Sequence, residues 1–596
     1  MSIVSSLVGA SAEWLDRRFG WYRLARPIAL FTMIGLRNRL RERNLYDTGL
    51  PEVPAGRTWD PRFLAARTVD GTYNDLAQPM MGSVGSRFGR NVPLSQSAPE
   101  SPARMLTPNP RVISRELLTR DQFLPATSLN VLAAAWIQFE VHDWLSHGRD
   151  DFEHPWEVPL ADGDDWPERP MRIPATRGDA THDPGDGRPR TFQTAESHWW
   201  DASQVYGSVE AFASKERAGE DGKLRIGEDG LPPIDLEQGL DLSDVPGNFW
   251  IGLGVLHTLF LLEHNAICDR LRKEYPGWTD EQLYDKARLI NAALTAKIHT
   301  VEWTPAVIAH PTTIFAIHAN WWGIIGELRG DQRRRDGIFN GTELLYGIPG
   351  SSTDHHGVPY SLTEEFVAVY RMHPLLPDEF TFRSVDDNRF LETRTFPEVG
   401  ALHTRERLTE LSVPNVIYSL GVAHPGAITL HNYPRFLQHF DRPDGRLMDL
   451  AATDILRNRE RGVPRYNQFR RLFRLKPAAS FEELTDNPAW AAQMRDVYEG
   501  KIEDLDLMVG MYAERLPPGF AFSDTAFRVF ILMASRRLKS DRFLSRDYTP
   551  AVYTQAGIDW LNQNSLRSML LRHYPSLAPA LRGVTNVFAP WRSVGS

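Results

Sequence analysis

A mainly α-helical fold built on one large core is what this sequence predicts, and three features carry that expectation. Apolar residues recur at helical spacing in several long segments, strand-type alternation is scarce, and no Pro/Gly/Ser-rich linker divides the 596 residues into two cores. No repeat of fixed period interrupts the pattern. Composition agrees: 42% hydrophobic, 24% charged and 11% aromatic residues are the proportions of an ordinary globular protein. Long irregular loops and little β-structure complete the expectation.

In chain order, residues 1–50 form a helical arm and 51–596 the large domain. The arm carries eight arginines (Arg17, Arg18, Arg23, Arg26, Arg37, Arg39, Arg41, Arg43) against Glu13, Asp16 and Glu42 in its first 45 residues. Trp14, Phe19, Trp21, Tyr22, Ile28 and Phe31 are interleaved with them, a mix suited to helices packed on their own domain or lying in a membrane interface. The apolar run from Ile28 to Leu36 is too short to span a bilayer. Glu13 and Asp16 in the early apolar stretch argue against a cleavable signal.

From Gly56 to about Glu116, Pro, Gly, Ser and Asn predict irregular structure wrapping a core. "SLNVLAAAWIQFEVHDWL" then predicts a helix reaching Trp144 with Ser128 as its cap. Residues 148–190 read as a long polar excursion without a core of its own. Asn248 to Leu271 is apolar almost all round, a helix inside a large domain that lacks the uncharged length for a membrane span. Further helices are predicted at Asp280–Thr304, Ser361–His373, Phe481–Glu499 and Asp524–Ser540.

The formal charge of −9 gives no basic field, which disfavours nucleic acid. A single cysteine, Cys268, excludes an internal disulfide framework and a thiolate zinc site. It fits an intracellular compartment, cytoplasmic or peripheral on a membrane. Nucleotide-binding glycine loops and a nucleophile elbow are absent from the sequence. His355 and His356, in "TDHHGVPY", fall in a loop expected to be exposed.

In "VAVYRMHPLLPD", Tyr370 and His373 stand three apart on one predicted helical face, and Pro374 discourages continuation past His373. A histidine at a helix end can point into a pocket and ligate iron, and a tyrosine one turn away could exchange an electron with a bound porphyrin. The spacing is cheap: 17 Tyr and 18 His in 596 positions give about 0.5 chance matches. Gln138 and His142 lie four apart, hence on one face, and histidine suits the proton transfer that peroxide activation needs. Asp143 points elsewhere on that helix. "ESHWWDASQVYG" offers the oxygens of Ser197, Asp201 and Ser203, either as a turn or as a site for a hard cation.

"QFEVHDW", "SHWWDASQVYG", "LLEHNAICDRL", "KIHTVEWT", "YRMHPLLPD", "VPRYNQFRR" and "SRRLKSDRF" resemble, in this order, the motifs of the α-dioxygenases of the peroxidase-cyclooxygenase superfamily. The similarity runs from about Pro27 to Trp591. It implies a haem b enzyme with His373 as proximal iron ligand, Tyr370 as radical, His142 as distal histidine and Gln138 beside it. It also implies calcium held by Asp143, Ser197, the Trp199 carbonyl, Asp201 and Ser203, with serine at 197 where threonine is expected. His299, Thr304, Arg537 and Arg536 match the groups that hold a fatty-acid carboxylate, and bidentate pairing suits that task. The "EHN" of Glu263, His264 and Asn265 reads as a structural helix motif.

The implied activity is α-dioxygenation: a Tyr370 radical, formed with hydrogen peroxide as activator, takes hydrogen from C2 of a fatty acid. Dioxygen adds to give a 2(R)-hydroperoxy acid, which decarboxylates to an aldehyde one carbon shorter. The alternatives are a haem peroxidase oxidising small donors and a non-catalytic lipid-binding homologue.

Overall fold

The computed structural model describes residues 3–49, 59–243, 248–330, 343–442 and 445–595. The junction expected between arm and domain at residue 50, and the start of the irregular segment at Gly56, lie outside them. Helices that frame the site are α1 (Ile3–Phe19), α2 (Arg26–Arg43), α3 (Val131–Trp144), α4 (Ile251–Glu274), α5 (Asp280–Ile298), α6 (Pro311–Arg329), α7 (Glu364–Val369), α8 (Leu450–Glu460) and α9 (Asp524–Ser540). Strands are few: the described residues hold four two-stranded antiparallel sheets.

α3 begins later than its spacing predicts. Asn130, not Ser128, is the cap, its side chain accepting from Ala133 N at 3.3 Å. α4 is the central helix. Its apolar stretch does meet the length and hydropathy of a membrane span, contrary to the sequence reading, but 83% of that window is buried inside the protein. It is therefore core. Glu263 on α4 pairs with Arg572 at 2.6 Å and His573 at 2.8 Å, tying the core helix to the C-terminal region.

The segment 148–190 is not wholly irregular. β1 (Asp151–Val158) and β2 (Met171–Ala175) form a hairpin with a bulge between Asp151 and Trp156. Val158, Trp166, Met171 and Ile173 pack with Ala452 and Leu456 of α8 into a small satellite core that the polar composition concealed.

Two predicted helices are broken by proline. The segment from Phe481 divides at Pro488, where Asn487 caps the second piece. In the other, α7 ends at Val369, Tyr370 leaves helical geometry at φ −88° and ψ 6°, and His373 opens a separate short 3-10 turn. Pro374 has no N–H for the Tyr370 carbonyl and its ring would clash there in an α-helix, so the helix stops and Tyr370 and His373 do not share one helical face.

The arm folds onto the domain. α1 and α2 pack against each other so closely that a Cβ on Gly35 would lie 2.5 Å from that of Ala12. α2 buries Ala29, Met33, Leu36 and Leu40, while Leu7, Trp14, Phe19, Ile28 and Phe31 remain exposed.

Candidate active site

α3 presents different faces to different tasks. Of its fourteen residues only Gln138, Val141 and His142 escape full burial, a strip at i, i+3 and i+4 opening onto interior space. Burial pushes the His142 imidazole down to about 4, so it stands neutral with a nitrogen free to accept a proton. Gln138 is fixed by Trp250, whose Nε1 donates to Oε1 at 2.9 Å.

His373 has a side chain 29% exposed, with Nδ1 2.8 Å from Asp454 Oδ2. Nδ1 itself is buried, so the accessible part of the ring lies toward Nε2. A carboxylate at Nδ1 fixes the proton there and leaves Nε2 for a metal. Asp454 is fully buried, accepts from Tyr433 Oη at 3.0 Å and pairs with Arg371. These cationic and hydroxyl partners hold its carboxyl below the usual range despite the opposing cost of burial. His373 could thus ligate a haem iron through Nε2.

The predicted helix through Thr304 contains a π-turn, His299–Trp303, between α5 and a last α-turn. Its i→i+5 pairing brings residues five apart onto one face. His299 and Thr304, which an α-helix would separate, therefore line one cavity with Tyr370, Trp200, Phe366 and Arg537. Trp136 Nε1 donates to His299 Nδ1 at 3.2 Å. Because indole is only a donor, Nδ1 must be the acceptor and the ring proton belongs on Nε2. Burial first, and the Arg537 charge second, hold that imidazole neutral.

Arg537 is 1% exposed, and its Nε and Nη2 have no partner among the described residues. A buried guanidinium with unpaired donors is costly unless an acceptor completes it, and a carboxylate matches the fork. Arg536 corrects the sequence expectation. Its Nη2 donates to the carbonyls of Val358 and Pro359 at 2.9 and 3.0 Å, so it braces the loop before α7 and does not face the cavity. Tyr370 is 6% exposed; burial raises its phenol, with Arg537 partly offsetting, so the hydroxyl keeps its proton.

The cavity continues into a larger one between α2, α6 and α9. Ile317, Asn320, Phe530 and Ala534 border both. On α9, Phe527, Phe530, Ile531 and Ala534 recur at three and four residue steps, so one apolar stripe leads to Arg537. Leu30, Met33 and Ile34 of α2 close the opposite wall.

The oxygens proposed for a cation are also assembled. Asp143 Oδ1 accepts from Ser203 N and Oγ at 2.5 and 2.8 Å, and Ser197 Oγ donates to Asp201 Oδ2 at 2.6 Å. Trp199 is fully buried. Burial and then the Asp201 charge push Asp143 up to about 7, and burial raises Asp201 as well. Two buried carboxylates this close carry a mutual charge that a cation would relieve. Among the described residues no three His, Cys, Asp or Glu side chains cluster for a metal.

The spacing of motifs gave no notice of Asp454, Trp144, Trp200 or Glu140. Trp136, Glu140 and Trp144 recur every four residues, a pattern that could have marked a second working face of α3. Glu140 is fully buried with both carboxylate oxygens unpartnered among the described residues, and burial raises it so that it stays protonated. His355, expected in solvent, is half-buried and pairs with Asp75 at 2.9 Å.

The helical core fits a haem peroxidase, and residues 66–585 match the animal haem peroxidase family. Peroxidase A from Dictyostelium discoideum shares the fold at TM-score 0.68 and 19% identity. Within that family the chain is 37% identical to α-dioxygenase 1 of Capsicum annuum over 100% of its length and 93% of that protein. It is 38% identical to α-dioxygenase 2 of Arabidopsis thaliana over 100% of its length and 94% of that one. A crystal structure of Oryza sativa fatty acid α-dioxygenase superimposes at TM-score 0.91 with 36% identity, covering 99% of this chain and 97% of that one. A variant of the rice enzyme was solved with palmitic acid at the same score. This chain is a haem-dependent oxidoreductase that belongs to the α-dioxygenases.

Proposed function

We propose that the chain oxygenates C2 of fatty acids through a radical on Tyr370. The observation that carries this reading is the unpaired Arg537 fork beside Tyr370, at the closed end of an apolar cavity. The carboxylate docks on Arg537 with donors from His299 Nε2 and Thr304 Oγ1, and the alkyl chain runs between α2, α6 and α9. This fixes C2 beside the phenol.

Haem b, when bound, supplies the one-electron oxidation driven by hydrogen peroxide. His373 would hold the iron through Nε2, oriented by Asp454. His142 takes the peroxide proton at its free nitrogen and returns it to the leaving oxygen, with Gln138 beside it. Tyr370 loses an electron and its hydroxyl proton. The resulting phenoxyl takes a hydrogen atom from C2, dioxygen adds to the carbon, and the peroxyl takes a hydrogen atom back from Tyr370. The net change is the acid plus dioxygen giving a 2-hydroperoxy acid, assigned R by the resemblance. Cleavage of its O–O bond with loss of carbon dioxide and water then yields the aldehyde one carbon shorter.

Calcium at Asp143, Ser197, the Trp199 carbonyl, Asp201 and Ser203 would tie the end of α3 to the loop after residue 196. Exposed Trp14, Phe19, Ile28 and Phe31 beside Arg17, Arg18, Arg23 and Arg26 support a peripheral contact of the arm with anionic membranes.

An oxygen electrode with mass spectrometry of products, run over a fatty-acid series, tests the reaction. Palmitate should give the C15 aldehyde. Tyr370→Phe should lower oxygen uptake by about 100-fold or more while leaving peroxide-driven oxidation of small donors. Uptake unchanged in that variant refutes the radical role.

A further inference from the structure

The wall beside Tyr370 is made of indoles. Trp144 and Trp200 are buried, edge to face with centroids 4.8 Å apart, and Trp144 lies 6.3 Å from the Tyr370 ring. Tryptophan gives up an electron about as readily as tyrosine, so Trp144, with Trp200 behind it, offers a route by which a radical on Tyr370 could drain away. The Arg537 guanidinium lies over both faces, 3.6 Å from the Trp144 centroid and 4.1 Å from that of Trp200.

We propose that Arg537 confines the oxidising equivalent to Tyr370 by making Trp144 and Trp200 hard to oxidise. The inference rests on the reading of Tyr370 as the radical. The leak it opposes is a single electron transfer: Trp144 gives one electron to the Tyr370 phenoxyl, which becomes phenolate, and is left as an indole radical cation. Trp200 can then refill Trp144 in the same way. No atom moves and the total charge is unchanged.

A guanidinium attracts the neutral indole face, but that attraction turns to repulsion once the ring is a cation. Burial removes the water that would screen it. The same charge favours a Tyr370 phenolate, so confinement depends on the guanidinium lying closer to the donors, in contact with both rings. The carboxylate fork and the barrier to leakage are thus one side chain, seated where substrate arrives.

Freeze-quench electron paramagnetic resonance of the full-length haem-loaded enzyme, oxidised with hydrogen peroxide without fatty acid, reads this directly. The wild type should show a tyrosyl signal narrowed by deuterated tyrosine and lost in Tyr370→Phe. In Arg537→Gln the signal should pass to tryptophan, narrowed by indole deuteration, and the tyrosyl should decay about tenfold faster or more. Adding Trp144→Phe and Trp200→Phe should restore the tyrosyl lifetime.

A second arm needs no substitution. 2,2-Difluoropalmitate has no hydrogen at C2 and would neutralise Arg537 in the wild type, shortening the tyrosyl lifetime. A tyrosyl signal of unchanged intensity and lifetime in Arg537→Gln, or with the difluoro acid bound if that variant does not fold, overturns the confinement while leaving the radical reading intact. A wild-type signal that survives in Tyr370→Phe overturns both.

Discussion

Calcium should stabilise this protein more at pH 8 than at pH 5. Asp143 is raised from 3.8 to about 7 by burial and by Asp201 beside it, and Asp201 is raised too. Between those two values the folded protein holds a proton that the unfolded chain has released. Stability of the calcium-free protein therefore falls as pH rises through that window, and the loss is complete above about 7. A shift of about 3 units corresponds to about 4 kcal/mol for Asp143 taken alone, an upper figure because the paired carboxylates share one cost. A calcium ion bound to the ionised pair would offset that loss.

For 596 residues, an unfolding entropy of about 2.1 cal/mol/K per residue converts 4 kcal/mol into about 3 °C. Scanning fluorimetry of calcium-loaded and chelated enzyme at the two pH values measures the difference. Asp201→Asn keeps a hydrogen-bonding side chain but removes one charge, so at pH 8 the chelated variant should melt above the chelated wild type. Equal calcium shifts at pH 5 and 8, or none at either, would refute the reasoning.

Three further outcomes are expected. Asp454→Asn should weaken haem binding by about tenfold, followed by Soret titration, and lower the iron–histidine stretching frequency of the reduced enzyme, because His373 loses its carboxylate. Ala534→Trp plugs the wall shared by the two cavities and should cut kcat/KM for palmitate by about tenfold while sparing octanoate. Replacing Trp14 and Phe31 by serine should abolish flotation with phosphatidylserine vesicles without altering turnover of detergent-dispersed substrate; persistent flotation would exclude the arm as the docking face.

Much of this arrangement was legible in the sequence because helical periodicity and capping act locally. α9 runs from Asp524 to Ser540 as its spacing predicts, and α4 lies within three residues of expectation. Tyr370, His373, His142 and Arg537 were nameable from motifs, since chemistry restricts residue type. Geometry that depends on distant partners was not. Nothing near His373 announces Asp454, eighty-one residues on in the chain, and nothing in "SRRLKSD" tells which arginine turns inward; packing of the loop 355–361 decides it. Asn130 displaced Ser128 as a cap because its amide also donates to the Val587 carbonyl at 2.7 Å, a tertiary contact that spacing cannot reveal.

The π-turn at His299–Trp303 gives this helix one residue of slack beside the carboxylate site. Deleting Thr300 or Val301 and letting the helix relax to α geometry would leave His299 and Thr304 four apart, again on one face. The same deletion within the regular turns of α5 has no slack to absorb it and would turn the residues on either side by about 100° against each other. The turn is therefore a stretch where the residue count can change while His299 and Thr304 keep a common wall.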